Sequence, residues 1–244
     1  MKRLIILIFF VLLAVFMLNS HLHHDYEVTE LSQDATQDYV VLIHGIYASS
    51  AMLEPIADAL VADYNVINIQ YPSADDSIEQ ITEQYIKPVI ASLDGKKIHF
   101  VAHSMGTIVL RYYLKNNSIQ QLGKVIFISP PSHGSNLSDF WLARLMKNTF
   151  GEAVAQLSPK EDSFVNALGE PDYPCQVLMG NRSRNPMFSA IIDGKDDGMV
   201  PVESARLATC GWELIDKASH KSILKDERTI EAVIGFIASN DYQN

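Results

Sequence analysis

The run Ile98-His99-Phe100-Val101-Ala102-His103-Ser104-Met105-Gly106-Thr107-Ile108-Val109-Leu110 changes period in its middle. Ile98 to Ala102 is short and mostly apolar, as a buried strand is, whereas Ile108, Val109, Tyr112 and Tyr113 recur at helical spacing. Ala102 to Gly106 must therefore carry the chain from strand into helix. The backbone of so tight a turn doubles back on itself and admits only small side chains two positions either side of its tip. Ala102 and Gly106 meet that demand around Ser104. A serine held there is the pattern of a nucleophile on a strained elbow. The plainer alternative is an N-capping serine in an ordinary strand-to-helix loop. What the chain places at its other strand ends bears on that choice.

The remaining elements alternate. Tyr39–Ile43 reads as a strand running into His44-Gly45-Ile46, followed by a helix on Met52, Ile56, Ala59 and Leu60 with Ser49 or Ser50 as its cap. Val66–Ile69 is the next strand, and Ser77 opens a helix on Ile78, Ile81, Tyr85, Val89 and Leu93 that Pro88 should kink or shorten. After the elbow come strands at Val125–Ser129, Gln176–Met179 and Trp212–Ile215, and a last helix capped by Asp226. Such alternation predicts an α/β fold, a doubly wound parallel sheet with helices on both faces. Residues 135–174 interrupt the rhythm, with Leu137, Phe140, Trp141, Leu145 and Met146 at helical spacing and a second cluster at Phe150, Val154 and Leu157. This stretch is either a crossover helix or, in part, a cap-like apolar wall over the site.

The first twenty residues have their own character. Lys2 and Arg3 precede an unbroken apolar run from Leu4 to Leu18, and the chain then turns polar at Asn19. Residues 1–20 read as a signal peptide or an N-terminal hydrophobic helix that anchors the chain in a membrane through residues 4–18. Either places the body, residues 38–240, outside the cytoplasm, secreted, periplasmic or anchored facing outward. Residues 21–37 read as a polar linker, its His21, His23 and His24 solvated rather than metal-binding. A net charge of −10 without a basic cluster argues against nucleic acid as a partner.

A serine hydroxyl needs a base within reach, and the base needs an oriented carboxylate. In a doubly wound sheet such groups gather at the carboxyl ends of strands. Ser104 follows the third strand, Asp193, Asp196 and Asp197 the fifth, and His220 the sixth. Of the other histidines, His133 also follows a strand end and competes for the role of base, whereas His99 lies within a strand.

His44-Gly45, Ala102-His103-Ser104-Met105-Gly106, the Asp197-Gly198-x-Val200-Pro201 loop and His220 before a terminal helix together resemble the α/β-hydrolase superfamily, in its small serine esterase and lipase-like members. The likeness spans Tyr39 to Ile237. It implies a minimal sheet of about six parallel strands in the order 2-1-3-4-5-6. It also implies a triad of Ser104, His220 and Asp197, with Asp196 the rival acid, and structural roles for His44 and His103. The oxyanion hole would be made by the backbone amides of Ile46 and Met105. No metal and no organic cofactor are implied. Cys175 and Cys210 stand just before the fifth and sixth strands, so adjacent parallel strands would bring them together as a disulfide; two buried thiols are the alternative.

The implied chemistry is hydrolysis of a small-molecule or lipid-like carboxylic ester with an apolar acyl group through an acyl-enzyme. The same triad serves thioesterases, amidases and acyltransferases, and a membrane-tethered binding module without catalysis is the reading from another class.

Overall fold

A computed structural model describes residues 26–93, 95–139, 152–184 and 189–239. Seven strands form one sheet: β1 (Glu27–Glu30), β2 (Tyr39–Ile43), β3 (Asn65–Gln70), β4 (Ile98–His103), β5 (Leu122–Ile128), β6 (Cys175–Gly180) and β7 (Gly211–Ile215). Their order is β1-β3-β2-β4-β5-β6-β7. From β3 to β7 neighbouring strands are parallel, and this is the expected order 2-1-3-4-5-6. The addition is β1, which pairs antiparallel with β3, Val28 opposite Ile69. Residues 21–37 are therefore not linker throughout, because Glu27–Glu30 closes the edge that β3 would otherwise expose.

Side-chain parity makes the two cores. Successive residues of a strand point to opposite faces. Val41, Ile43, Phe100, Ala102, Val125 and Phe127 join one buried cluster, and Val40, Leu42, Val101, Ile126 and Ile128 join the other. A strand apolar at every position must be covered on both sides. One cover is α1 (Glu54–Leu60), entered through a 3₁₀ turn at Ser50–Leu53, together with a C-terminal helix. The other cover begins with α2 (Ile78–Ile81), a π turn at Thr82–Ile86, and α3 (Lys87–Ser92). Ser77 and Gln80 form a capping box at its start. Pro88, in the first turn of α3, ends the irregular stretch, which is the expected interruption in the form of a π turn. On the same face lies α4 (Met105–Asn116), which follows the elbow.

Among the described residues, three short helices, α5 (Asn136–Asp139), α6 (Glu152–Gln156) and α7 (Phe164–Ala167), belong to the stretch between β5 and β6. Ala153, Leu157 and Val165 are buried in the core on the α4 face. Gln156 fastens this segment by accepting from the Ile78 amide at 2.8 Å and donating to Glu79 at 2.6 Å. The described residues after 151 thus cover the sheet; Phe140, Trp141, Leu145, Met146 and Phe150, on which the cap reading rests, lie outside the described residues. The last helix, α8 (Glu227–Ala238), is capped by Asp226, whose side chain accepts from the Arg228 amide.

Cys175 opens β6 and Cys210 precedes β7, where Gln176 is opposite Gly211. Their sulfurs are bonded, with the α-carbons 4.8 Å apart. The bond ties the amino-terminal ends of two neighbouring strands. Among the described residues no helix is long and apolar enough to cross a membrane; the run Leu4–Leu18 lies outside them.

Candidate active site

The elbow is built as its small residues require. Ser104 has φ 53° and ψ −128°, a conformation that costs an L-residue about 1–3 kcal/mol. Packing enforces it. A methyl on Gly106 would come within 2.4 Å of the His44 carbonyl oxygen and 2.6 Å of that of Ile43. One on Gly45 would lie 2.8 Å from the Ser104 β-carbon. The loop after β2 and the start of α4 therefore approach so closely that neither Gly45 nor Gly106 could carry a β-carbon without a clash. Ala102, two residues before the serine, keeps its methyl inside the core, so glycine is unnecessary there. Ser104 is anchored by its amide, which donates to the Ile128 carbonyl at 2.9 Å. No side-chain cap bond is made by Ser104, which sets aside the N-cap alternative.

His220 and Asp197 complete a hydrogen-bonded chain. His220 Nε2 is 2.9 Å from Ser104 Oγ, and His220 Nδ1 is 2.8 Å from Asp197 Oδ2. An ionised carboxylate only accepts, so Nδ1 carries the proton and Nε2 is left free to accept from the serine. The other Asp197 oxygen accepts from the amides of Met199 at 3.0 Å and Val200 at 2.9 Å. Burial works to raise the Asp197 carboxyl, but His220 and the two amides outweigh it and hold the group below the usual carboxylate range. Asp196 faces elsewhere. Its Oδ1 accepts from the Gly198 amide at 2.7 Å and the Ser189 hydroxyl at 3.0 Å. Asp193 is exposed and pairs with Asn136.

The other described histidines have partners of their own. His103 is buried behind the base, its Nε2 donating to the His220 carbonyl at 2.9 Å, and burial followed by the charge of His220 pushes its pKa down to about 3. His44 is buried beside Tyr71 and is pushed down to about 4 by burial. His99 accepts from the Lys124 amide within the sheet. His133 is exposed, bonded to Asn166 and the Arg206 carbonyl, and takes no part in the chain with Ser104. His21, His23 and His24 lie outside the described residues.

Ile46 and Met105 flank the serine from the two touching segments, the loop after β2 and the first residue of α4. Among the described residues neither amide donates to a protein acceptor. Both belong to backbone that the Gly45 and Gly106 contacts press against Ser104. No group of three or more His, Cys, Asp or Glu side chains suited to a metal stands together among the described residues. Two features escaped the sequence reading: the His103 bond to the base, and Tyr71, which packs on His44. The available signal for Tyr71 was its place at the carboxyl end of β3.

A doubly wound sheet that presents a serine elbow after β4, a carboxylate after β6 and a histidine after β7 follows the plan of the α/β hydrolases. Comparison with known families agrees: residues 40–232 match the Alpha/beta hydrolase family, and the chain belongs to it. A triacylglycerol lipase of Pseudomonas fragi is 23% identical over 198 residues, 74% of this chain and 67% of the lipase. Among solved structures, the mature lipase BlEst2 of Bacillus licheniformis superposes with a TM-score of 0.67 at 19% identity, covering 86% of this chain and 98% of that one. An esterase of Exiguobacterium antarcticum gives 0.64 at 14% identity over 88% and 96% of the two chains.

Proposed function

We propose that the protein is a serine hydrolase of carboxylic esters, with an apolar acyl group in its preferred substrate. The observation that carries this reading is the unbroken chain from Ser104 Oγ through His220 to Asp197, at 2.9 and 2.8 Å. Ser104 attacks the ester carbonyl while His220 Nε2 takes the hydroxyl proton. Asp197 keeps the proton-accepting tautomer of His220 and balances the imidazolium that forms. The carbonyl oxygen becomes an oxyanion, received by the amides of Ile46 and Met105; the latter opens a helix of 12 residues, whose positive end favours the charge. The imidazolium returns its proton to the departing alcohol, leaving an acyl-serine. A water then repeats the sequence and releases the acid.

The acyl preference is supported by the similarity to proteins named as lipases. Placement outside the cytoplasm, by an export signal or an anchor over residues 4–18, belongs to the same reading. Its support is the basic start before an apolar run, and a disulfide of the kind that persists in oxidising compartments.

The test is a series of p-nitrophenyl esters of increasing acyl length, with wild type and Ser104→Ala. Hydrolysis that vanishes in the variant and rises with chain length is expected. Equal labelling of both proteins by a fluorophosphonate probe would overturn the catalytic reading. A flat short-chain profile would overturn the acyl preference alone.

A further inference from the structure

The Gly45–Ile46 peptide is gripped from the side opposite its amide. A trans peptide points its C=O and N–H in opposite directions, so a bond that fixes one fixes the other. The Gly45 carbonyl lies 2.8 Å from His44 Nδ1. That bond requires the proton on Nδ1, and the other ring nitrogen settles the matter: the Tyr71 amide donates to Nε2 at 3.3 Å, so Nε2 carries no proton. The Tyr71 ring then stacks on the imidazole, 4.2 Å between centroids and 13° from parallel. Its hydroxyl donates to the His44 carbonyl at 2.5 Å, which holds the preceding peptide as well. Both residues are almost wholly buried, 0% and 1% exposed, so water does not compete for these bonds.

We propose that Tyr71 and His44 are positioning residues that aim the Ile46 amide at the developing oxyanion, Tyr71 fixing the imidazole and the imidazole fixing the Gly45–Ile46 peptide. This rests on the oxyanion role proposed above for Ile46. Neither side chain touches the reacting atoms. The low pKa of His44 is in keeping, since a protonated ring could not accept from the Tyr71 amide. Gly45 fits the same arrangement, because any side chain there would strike Ser104 before the peptide reached its place.

The test compares His44→Ala, His44→Asn and Tyr71→Phe with wild type in kcat, KM and the affinity of an alkylboronic acid. The boronate forms a tetrahedral adduct on Ser104 and so reports on the oxyanion site apart from ground-state binding. His44→Ala should lose up to about 10²-fold in kcat, no more than the loss of one oxyanion donor, with KM within a few-fold and boronate affinity falling in parallel. His44→Asn, whose amide can reach the Gly45 carbonyl, should recover part of both. Tyr71→Phe keeps the stacking and loses one bond, so its loss should be smaller and again shared by kcat and boronate affinity. If His44→Ala does not fold, the other two variants carry the comparison. Boronate affinity unchanged while kcat falls, or wild-type kcat in all three, overturns the assignment. A wild type without Ser104-dependent ester hydrolysis overturns the proposed function and this assignment together; an active wild type with indifferent variants overturns this assignment alone.

Discussion

Asp197 holds His220 by two bonds: its carboxylate accepts the ring Nδ1–H at 2.8 Å, and its backbone carbonyl accepts the His220 amide at 2.8 Å. The acid therefore sets the position of the base as well as its tautomer. An asparagine at 197 can keep the shape but can present an N–H to the ring. His220 would then carry its proton on Nε2, the wrong side for taking one from Ser104. Asp197→Asn should lower kcat by about 10³–10⁴-fold with little change in fold. Asp196→Asn should stay within a few-fold in kcat and lower stability by about 1 kcal/mol, since among the described residues its side chain serves the Gly198 amide and Ser189 and not His220. Steady-state kinetics with urea unfolding of both variants checks the contrast.

The buried histidines make stability depend on pH in a stated direction. Burial pushes the pKa of His44 down to about 4 and that of His103 down to about 3, against 6.5 for an unperturbed histidine. The unfolded chain binds protons first, so stability is complete above about pH 6.5 and falls as the pH drops toward those values. Each histidine contributes a slope of up to about 1.4 kcal/mol per pH unit in that window. Asp197, held below its ordinary value, adds to the loss only once the pH falls below 3.8. His103→Gln should flatten the slope by one histidine's share, as read from denaturation midpoints between about pH 8 and pH 4. A slope unchanged by the substitution would contradict it.

His103 also bears on the reaction geometry, because its Nε2–H holds the carbonyl of His220. Glutamine can offer an N–H near the same point, whereas leucine cannot. His103→Gln should retain most of kcat, and His103→Leu should lose about 10-fold or more as the base loosens, with a further cost from the unpaired buried carbonyl of about 1–3 kcal/mol. Thermal unfolding alongside kinetics separates the two effects. Equal activity in the two variants would count against the bond.

Much of this was legible in the sequence because parallel strands buried on both faces are apolar throughout, and because the elbow needs small residues at fixed offsets. Ser104 followed from the elbow pattern, whereas strand ends offered both His220 and His133, and the resemblance chose His220. Asp197 and Asp196 stand side by side with the same charge, and what separates them is their bonds in the folded loop: Asp197 meets His220 and the Met199 and Val200 amides, Asp196 the Gly198 amide and Ser189. The strand Glu27–Glu30 was not legible, since Glu-Val-Thr-Glu is short and polar and becomes a strand by pairing with β3. Tyr71 and the bond from His103 to the His220 carbonyl escaped for a related reason, the resemblance having implied for His103 only a structural role. Their roles lie in bonds to backbone atoms distant in sequence, which leave no periodic trace.

The Cys175–Cys210 bond lies at the opposite end of the sheet from Ser104. It joins the amino-terminal ends of β6 and β7, whereas the acid and base follow their carboxyl ends. Its removal should therefore act on stability and not on chemistry. It closes a loop with a sequence separation of 35. A loop of that length corresponds to about 4 kcal/mol of lost freedom in the unfolded chain. The Cys175→Ser, Cys210→Ser double variant should unfold at markedly lower urea concentration, by about 2–4 kcal/mol, with kcat and KM unchanged at 25 °C. The wild type treated with a thiol reductant should shift toward the same midpoint. A fall in kcat at a temperature where the variant remains folded would mean that the far end of the sheet is coupled to Asp197 and His220, contrary to this expectation.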